Sequence, residues 1–132
     1  MGYKELQIYK RAYKSALAVY KMTKTFPAEE RYAIVSQMQR ASTSIALNIA
    51  EGYARKDSQS DYKRFLTMAI GSVAEMDVLI NFSKDLGYIT EDQYEKASKE
   101  YDEIGRMLNK YIQSVKKSLE ESAQTGKRTS EI

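Results

Sequence analysis

The sequence contains no cysteine, no histidine and no tryptophan, and a single proline in 132 residues. Without cysteine there is no disulfide framework and no thiol nucleophile. Without histidine there is no imidazole acid/base chemistry, and the two absences together remove zinc-finger and haem-attachment patterns. The Glu-x-x-His pattern of di-iron bundles is excluded on the same ground. Neither metal nor cofactor is expected. No uninterrupted apolar run approaches the roughly 18 residues of a membrane span, and Met1-Gly2-Tyr3-Lys4-Glu5 lacks the apolar stretch of a signal peptide. A soluble, cytoplasmic protein with no membrane partner is the expectation. Net charge is also scarce, since 21 Lys+Arg against 18 Asp+Glu leave only +3. What is present is a 42% hydrophobic content, enough for one domain to bury a core without covalent staples.

Six glycines and one proline fall where helical patterns stop, which points to a few long helices. The spacing predicts helices over about 4–25, 29–54, 60–86 and 91–119. In the first, Leu6, Tyr9, Ala12, Tyr13, Ala16, Leu17, Val19 and Tyr20 recur at three- and four-residue intervals. Phe26-Pro27 ends it, because proline disfavours helix in the residue before it and suits the first turn of the next helix. The second places Ile34, Val35, Met38, Ala41, Ile45, Ala46, Ile49 and Tyr53 on one face. Beside that face run a polar stripe and a small or apolar face of Ser36, Thr43, Leu47, Ala50 and Ala54, as for a helix contacted from more than one side.

Ser58 or Ser60 can cap the third helix. Its apolar arc, from Tyr62, Phe65 and Met68 to Phe82, is wider than one core requires, so part of it is expected to pack on another subunit. Gly87 suits the end of that helix, and Thr90 to Gln93 has the spacing of a capping box opening the fourth. Tyr94, Ala97, Tyr101, Ile104, Leu108, Tyr111, Ile112, Val115 and Leu119 form its narrow stripe. Residues 1–119 therefore read as one antiparallel up-down-up-down four-helix bundle of the all-α class, and 120–132 as a disordered tail.

Charge is divided unevenly along the chain. Residues 1–26 carry Lys4, Lys10, Arg11, Lys14, Lys21 and Lys24 against Glu5 alone, a net of +5, while the remainder sums to −2. Lys10, Lys14 and Lys21 fall within about 40° of one another on a helical wheel, beside the stripe Tyr9, Tyr13, Tyr20. Cations next to aromatics can meet phosphates and stack on unpaired bases. The competing reading is a tyrosine-lined core flanked by solvated lysines.

Candidate chemistry is confined to Gln37, Arg40, Ser44, Asn48, Glu51 and Arg55, the dense polar stripe of the second helix. An enzyme would use Glu51 as base and Arg40 or Arg55 to hold an anion, but no second acid, activated nucleophile or glycine-rich phosphate loop accompanies them. The structural reading pairs Glu51 with Arg55 at i,i+4. Gln37, Ser44 and Asn48 then bond across helices or subunits. No catalytic residue is assigned.

Tyr9-Lys10-Arg11-Ala12-Tyr13, Phe26-Pro27-Ala28-Glu29-Glu30, Gln37-Met38-Gln39-Arg40-Ala41 and Ser44 through Tyr53 with Arg55 resemble the four-helix-bundle proteins encoded in bacterial 23S rRNA intervening sequences. Phe65-Leu66, Ala69-Ile70-Gly71-Ser72 and Leu86-Gly87-Tyr88-Ile89 continue the likeness, which spans about residues 4–117. The signature residues are Asn48, Glu51, Gly52, Tyr53 and Arg55, with Ala46-Leu47 standing where Pro-Ser is frequent in the family. The resemblance implies a bundle that assembles into a ring, a homopentamer, with no established enzymatic activity. It is also similar to the accessory variability proteins of diversity-generating retroelements, basic pentamers that bind nucleic acid and a reverse transcriptase. Two functions are therefore expected to compete. One is a non-enzymatic oligomer binding RNA or DNA backbones through Lys10, Arg11, Lys14, Lys21 and Lys24, with Arg40, Arg55 and Lys56. The other is a scaffold whose ring docks a partner protein.

Overall fold

Links too short to cross a bundle make each helix run back along its predecessor. The computed structural model describes residues 2–130, with side chains to residue 124. Its helices are α1 (Gln7–Met22), α2 (Ile34–Ala54), α3 (Gln59–Asp85) and α4 (Glu91–Ser130), with short 3-10 turns at Tyr3–Glu5, Thr23–Thr25 and Ala28–Glu30. No strand occurs among the described residues. Consecutive helices pack together and α1 closes on α4, giving the expected antiparallel four-helix bundle.

Helix ends follow local chemistry. Ser58 Oγ accepts from the Asp61 amide at 3.3 Å and starts α3. At its other end Gly87 takes φ +77°, where a side chain would be strained. Tyr88 N–H then bonds Ser83 C=O at 2.9 Å and Gly87 N–H bonds Lys84 C=O at 3.0 Å, closing the last carbonyls. The capping box forms: Thr90 N–H donates to Gln93 Oε1 at 2.8 Å and Gln93 N–H to Thr90 Oγ1 at 3.1 Å. Phe26 and Tyr88, 5.3 Å apart between ring centres, join the corner after α1 to the corner after α3.

Three expectations are corrected. The second helix does not start at 29. A 3-10 turn follows Pro27, and Ala33 leaves helical geometry at φ −117°, ψ −107°, so α2 begins only at Ile34. Of the α1 tyrosines Tyr9 packs against the core, but Tyr13 and Tyr20 are exposed with Leu17, while Ile8, Ala12, Ser15, Ala16 and Val19 are buried. The disordered tail expected at 120–132 is instead α4 continuing to Ser130. Glu120 to Gln124 are exposed and include good helix formers, so an established helix extends past its last apolar contact at little cost. Residues 131–132 lie outside the described residues.

The core is built from Ile8 of α1, Met38, Ile45 and Ile49 of α2, Leu66, Met76 and Ile80 of α3, and Ile104 and Leu108 of α4. Its tightest point is Gly52, where a Cβ would stand 3.0 Å from Phe65 Cβ and 3.1 Å from the Tyr62 ring. Phe65 Cβ is anchored to its backbone, so α3 itself would have to yield. Gly71 of α3 has nothing within 4 Å of an added Cβ. Tyr101 is buried, and its hydroxyl has no hydrogen-bond partner among the described residues.

Gly52→Ala is expected to lower stability by on the order of 1 kcal/mol, the overpacking cost exceeding the gain in helix propensity. Gly71→Ala carries only that gain, about 0.5–1 kcal/mol, so in urea unfolding the two variants shift in opposite directions. Tyr101→Phe removes an unsatisfied buried donor and should unfold at equal or higher urea than the wild type, whereas loss of a made hydrogen bond would shift it lower.

Candidate nucleic-acid interface

The buried stripe of α1 turns its opposite side to solvent, and Lys10, Lys14 and Lys21 stand there exposed. Lys24 is exposed in the 3-10 turn that follows. None of the four has an ion-pair partner among the described residues. Arg11 behaves differently. It reaches across to α4, donating to both Glu100 carboxylate oxygens at 3.0 and 2.8 Å, while Ser15 Oγ donates to Glu100 Oε1 at 3.4 Å. The paired guanidinium holds the Glu100 carboxyl below its usual range, against the opposing effect of burial. Arg11 thus closes the α1–α4 seam and offers little free charge.

On α2, Arg40 is exposed and unpaired among the described residues. Arg55 meets Glu51 at 3.6 Å and lies 5.2 Å from the Phe65 ring centre, as the i,i+4 reading requires. Lys56 sits 4.1 Å from the Tyr53 ring centre. Ser44 bonds across helices, accepting from Ser72 Oγ at 2.9 Å. Asn48 does not cross: its amide donates to Ser44 O at 2.9 Å and Ser44 Oγ at 3.0 Å within α2, satisfying the side chain one turn back. Gln37 is exposed. Within the signature, Gly52 and Tyr53 carry the packing, Tyr53 lying against the core with its ring centre 6.3 Å from that of Tyr62, and Glu51–Arg55 is an exposed pair.

The fourth helix adds cations that reading by segment conceals. Lys99, Arg106, Lys110 and Lys117 recur at intervals of seven, four and seven, so they share one exposed face about 27 Å long. Arg106 pairs with Asp102 and reaches Glu103 at 3.9 Å. Lys99, Lys110 and Lys117 have no ion-pair partner among the described residues. A concavity of about 490 Å³ brings Arg11, Lys96, Lys99 and Arg106 together with Glu100 and Glu103. An adjoining apolar groove of about 470 Å³ has Lys21 of α1 and Lys96 of α4 on its walls. Counting residues 91–132 as a block hides this, because eight cations are outnumbered by nine anions.

Chemically the exposed lysines and arginines of this surface can meet anionic groups. Among the described residues no cluster of acidic groups could hold a metal ion, and Glu51 faces solvent beside an arginine, with no activated nucleophile near it. Fold and site together define a four-helix bundle whose chemistry lies in exposed cations, without a catalytic constellation among the described residues. The chain belongs to the 23S rRNA-intervening sequence protein family, whose model matches residues 4–110. It is similar to a solved protein of unknown function from the S23 ribosomal protein family of Bacteroides thetaiotaomicron, at 24% identity and TM-score 0.73, covering 80% of this chain and 95% of that one. At that identity the likeness establishes the fold. Among curated proteins none matches the chain.

Glu100→Gln tests the seam. A carboxyl whose folded pKa is depressed adds stability above its ordinary value of 4.5 and loses it as pH falls through the lower folded value. Both side chains are over a third exposed, 41% and 34%, so screening limits the loss at neutral pH to about 0.5–1 kcal/mol. Unfolding curves of variant and wild type should converge in acid; a gap constant with pH would contradict the assignment.

Proposed function

We propose that this protein is a non-enzymatic, self-associating bundle of the cytoplasm that binds the phosphate backbone of RNA or DNA without reading base sequence. The observation that carries the reading is the α1–α4 side, where Lys10, Lys14 and Lys21 stand unpaired among the described residues and Lys99, Lys110 and Lys117 add exposed cations. Phosphate contacts of this kind release counterions and carry no sequence information. Arg40, Lys24, Arg55 and Lys56 contribute more weakly, the last two because Glu51 and Tyr53 already engage them. Arg11 serves as a strut of the binding face.

A scaffold reading is favoured by one specific observation, the large apolar side chains left exposed, Leu47 and Phe82 among them. Pull-down with and without nuclease separates the two readings. Capture that survives nuclease supports the scaffold.

Titration against a structured RNA and a duplex DNA of unrelated sequence should give similar affinities that fall steeply with salt, by about 0.9 in log–log slope for each duplex phosphate neutralised. Reversing Lys10, Lys14 and Lys21 to Glu should weaken binding at least about tenfold and flatten the slope. Binding unchanged by that triple reversal would overturn the assignment.

A further inference from the structure

The outer helices α1 and α4 pack least closely of the neighbouring pairs in the bundle, and the seam between them is not closed by side chains. Its groove of about 470 Å³ falls within the range of small-molecule sites, roughly 300–1,000 Å³. Ala18, Val19 and Met22 of α1 and Ala97 of α4 give it an aliphatic lining, in which Met22 is the side chain able to change shape around a guest. Tyr101 completes the lining. It is 3% exposed, and its hydroxyl is without a hydrogen-bond partner among the described residues, so the protein's own groups leave this part of the seam unfinished.

The two ends of the groove differ. At one, the Glu100 carboxylate accepts two hydrogen bonds from Arg11 and one from Ser15, and is thereby already engaged. The other end, about 15 Å further along α1, is bounded by Thr25 and Gln93. Lys21 and Lys96 line the same groove, one from each helix, and both are exposed. Lys21 has no ion-pair partner among the described residues. Lys96 meets Asp92 at 3.2 Å in a pair whose side chains are 79% and 75% exposed, a contact that competes only weakly with a second anion.

We infer that the α1–α4 groove binds one amphipathic anion, an unbranched alkyl carboxylate of medium length, its chain on Ala18, Val19, Met22 and Ala97 and its carboxylate between Lys21 and Lys96. The lining selects the body of the ligand. Aliphatic side chains, with the buried Tyr101 as the one ring among them, suit a flexible chain better than a nucleobase, which stacks on open aromatic faces. Charge selects the head, because two cations flank the groove while its one carboxylate is held by Arg11 and Ser15. The inference stands apart from the self-association proposed above, and with the proposed phosphate binding it shares Lys21 alone.

The test is equilibrium dialysis of the full chain against decanoate, kept below the concentration at which it forms micelles, with octanoate and decanol for comparison. Decanoate should bind saturably at one per chain. Octanoate, shorter by two methylenes, should bind about fifteenfold more weakly. Ala18→Phe, at an exposed position, should fill the groove and remove binding with helical circular dichroism unchanged. Lys21→Glu combined with Lys96→Glu should weaken decanoate about tenfold and leave decanol binding as in the wild type, which separates head from chain. Equal binding of octanoate and decanoate, or decanoate binding untouched by Ala18→Phe, overturns the groove as the site and assigns the anion to surface lysines. Decanol matching decanoate on the wild type overturns the place of the carboxylate between the two lysines. Absence of saturable decanoate binding overturns the inference outright, and flotation of the chain on phosphatidylcholine vesicles in that case would give the groove to a bilayer.

Discussion

The close approach of α2 and α3 at Gly52 sets the geometry of the rest. With Phe65 Cβ at 3.0 Å from where a side chain would start, the two helices meet at the one position that has none. That contact fixes their register along the whole pair: Ser44 faces Ser72 at 2.9 Å, and Met38 Sδ accepts from Ser83 Oγ at 3.5 Å further on. With α2 and α3 locked, Ile45, Ile49, Leu66 and Met76 form the buried layer on which α1 and α4 are laid. The outer two helices are held to each other more lightly, by Arg11 and Glu100 across a seam of small residues.

Electrostatics then follows packing. Each helix spends its apolar stripe on the core, and the opposite face decides what the molecule presents. For α1 that face is basic; on α4 cations and acids share it, and Glu100 and Glu103 are partly consumed by Arg11 and Arg106. For α3 it is apolar with unpaired acids. A net charge of +3 conceals this, because the positive and negative surfaces sit on different sides of one bundle.

Helix number, the Pro27 and Gly87 corners, the Thr90–Gln93 box and the buried faces of α2 and α4 were legible in the sequence, because periodicity and caps are local. The register of α1 was not. Tyr9, Tyr13 and Tyr20 carry more apolar area than Ala12, Ser15 and Ala16, so a pattern weighted by hydrophobicity points the tyrosines inward. Packing chooses the small residues because α1 must lie close on its neighbours. The Arg11–Glu100 pair spans 89 positions, and no sequence spacing announces it. The α4 cations were hidden by interleaved acids that share their face, among them Asp92, which meets Lys96, and Glu103, which Arg106 approaches. Helical persistence beyond Leu119 was missed for a different reason. Loss of an apolar pattern signals loss of a partner, not loss of helix.

The self-association and the phosphate binding proposed for this bundle would reinforce one another. A single protomer offers a handful of unpaired lysines, and salt at physiological strength screens charges beyond about 8 Å. Alone, that is a weak field. In the proposed self-association each copy contributes its own Lys10, Lys14 and Lys21 to one body. Copies held on one body then engage a long polyanion at many phosphates at once, where each further contact is intramolecular and adds avidity without any new residue. On the proposed reading a chain with neither histidine nor cysteine needs no reactive side chain, because selectivity for a polyanion would come from the number and spacing of lysines that assembly brings together.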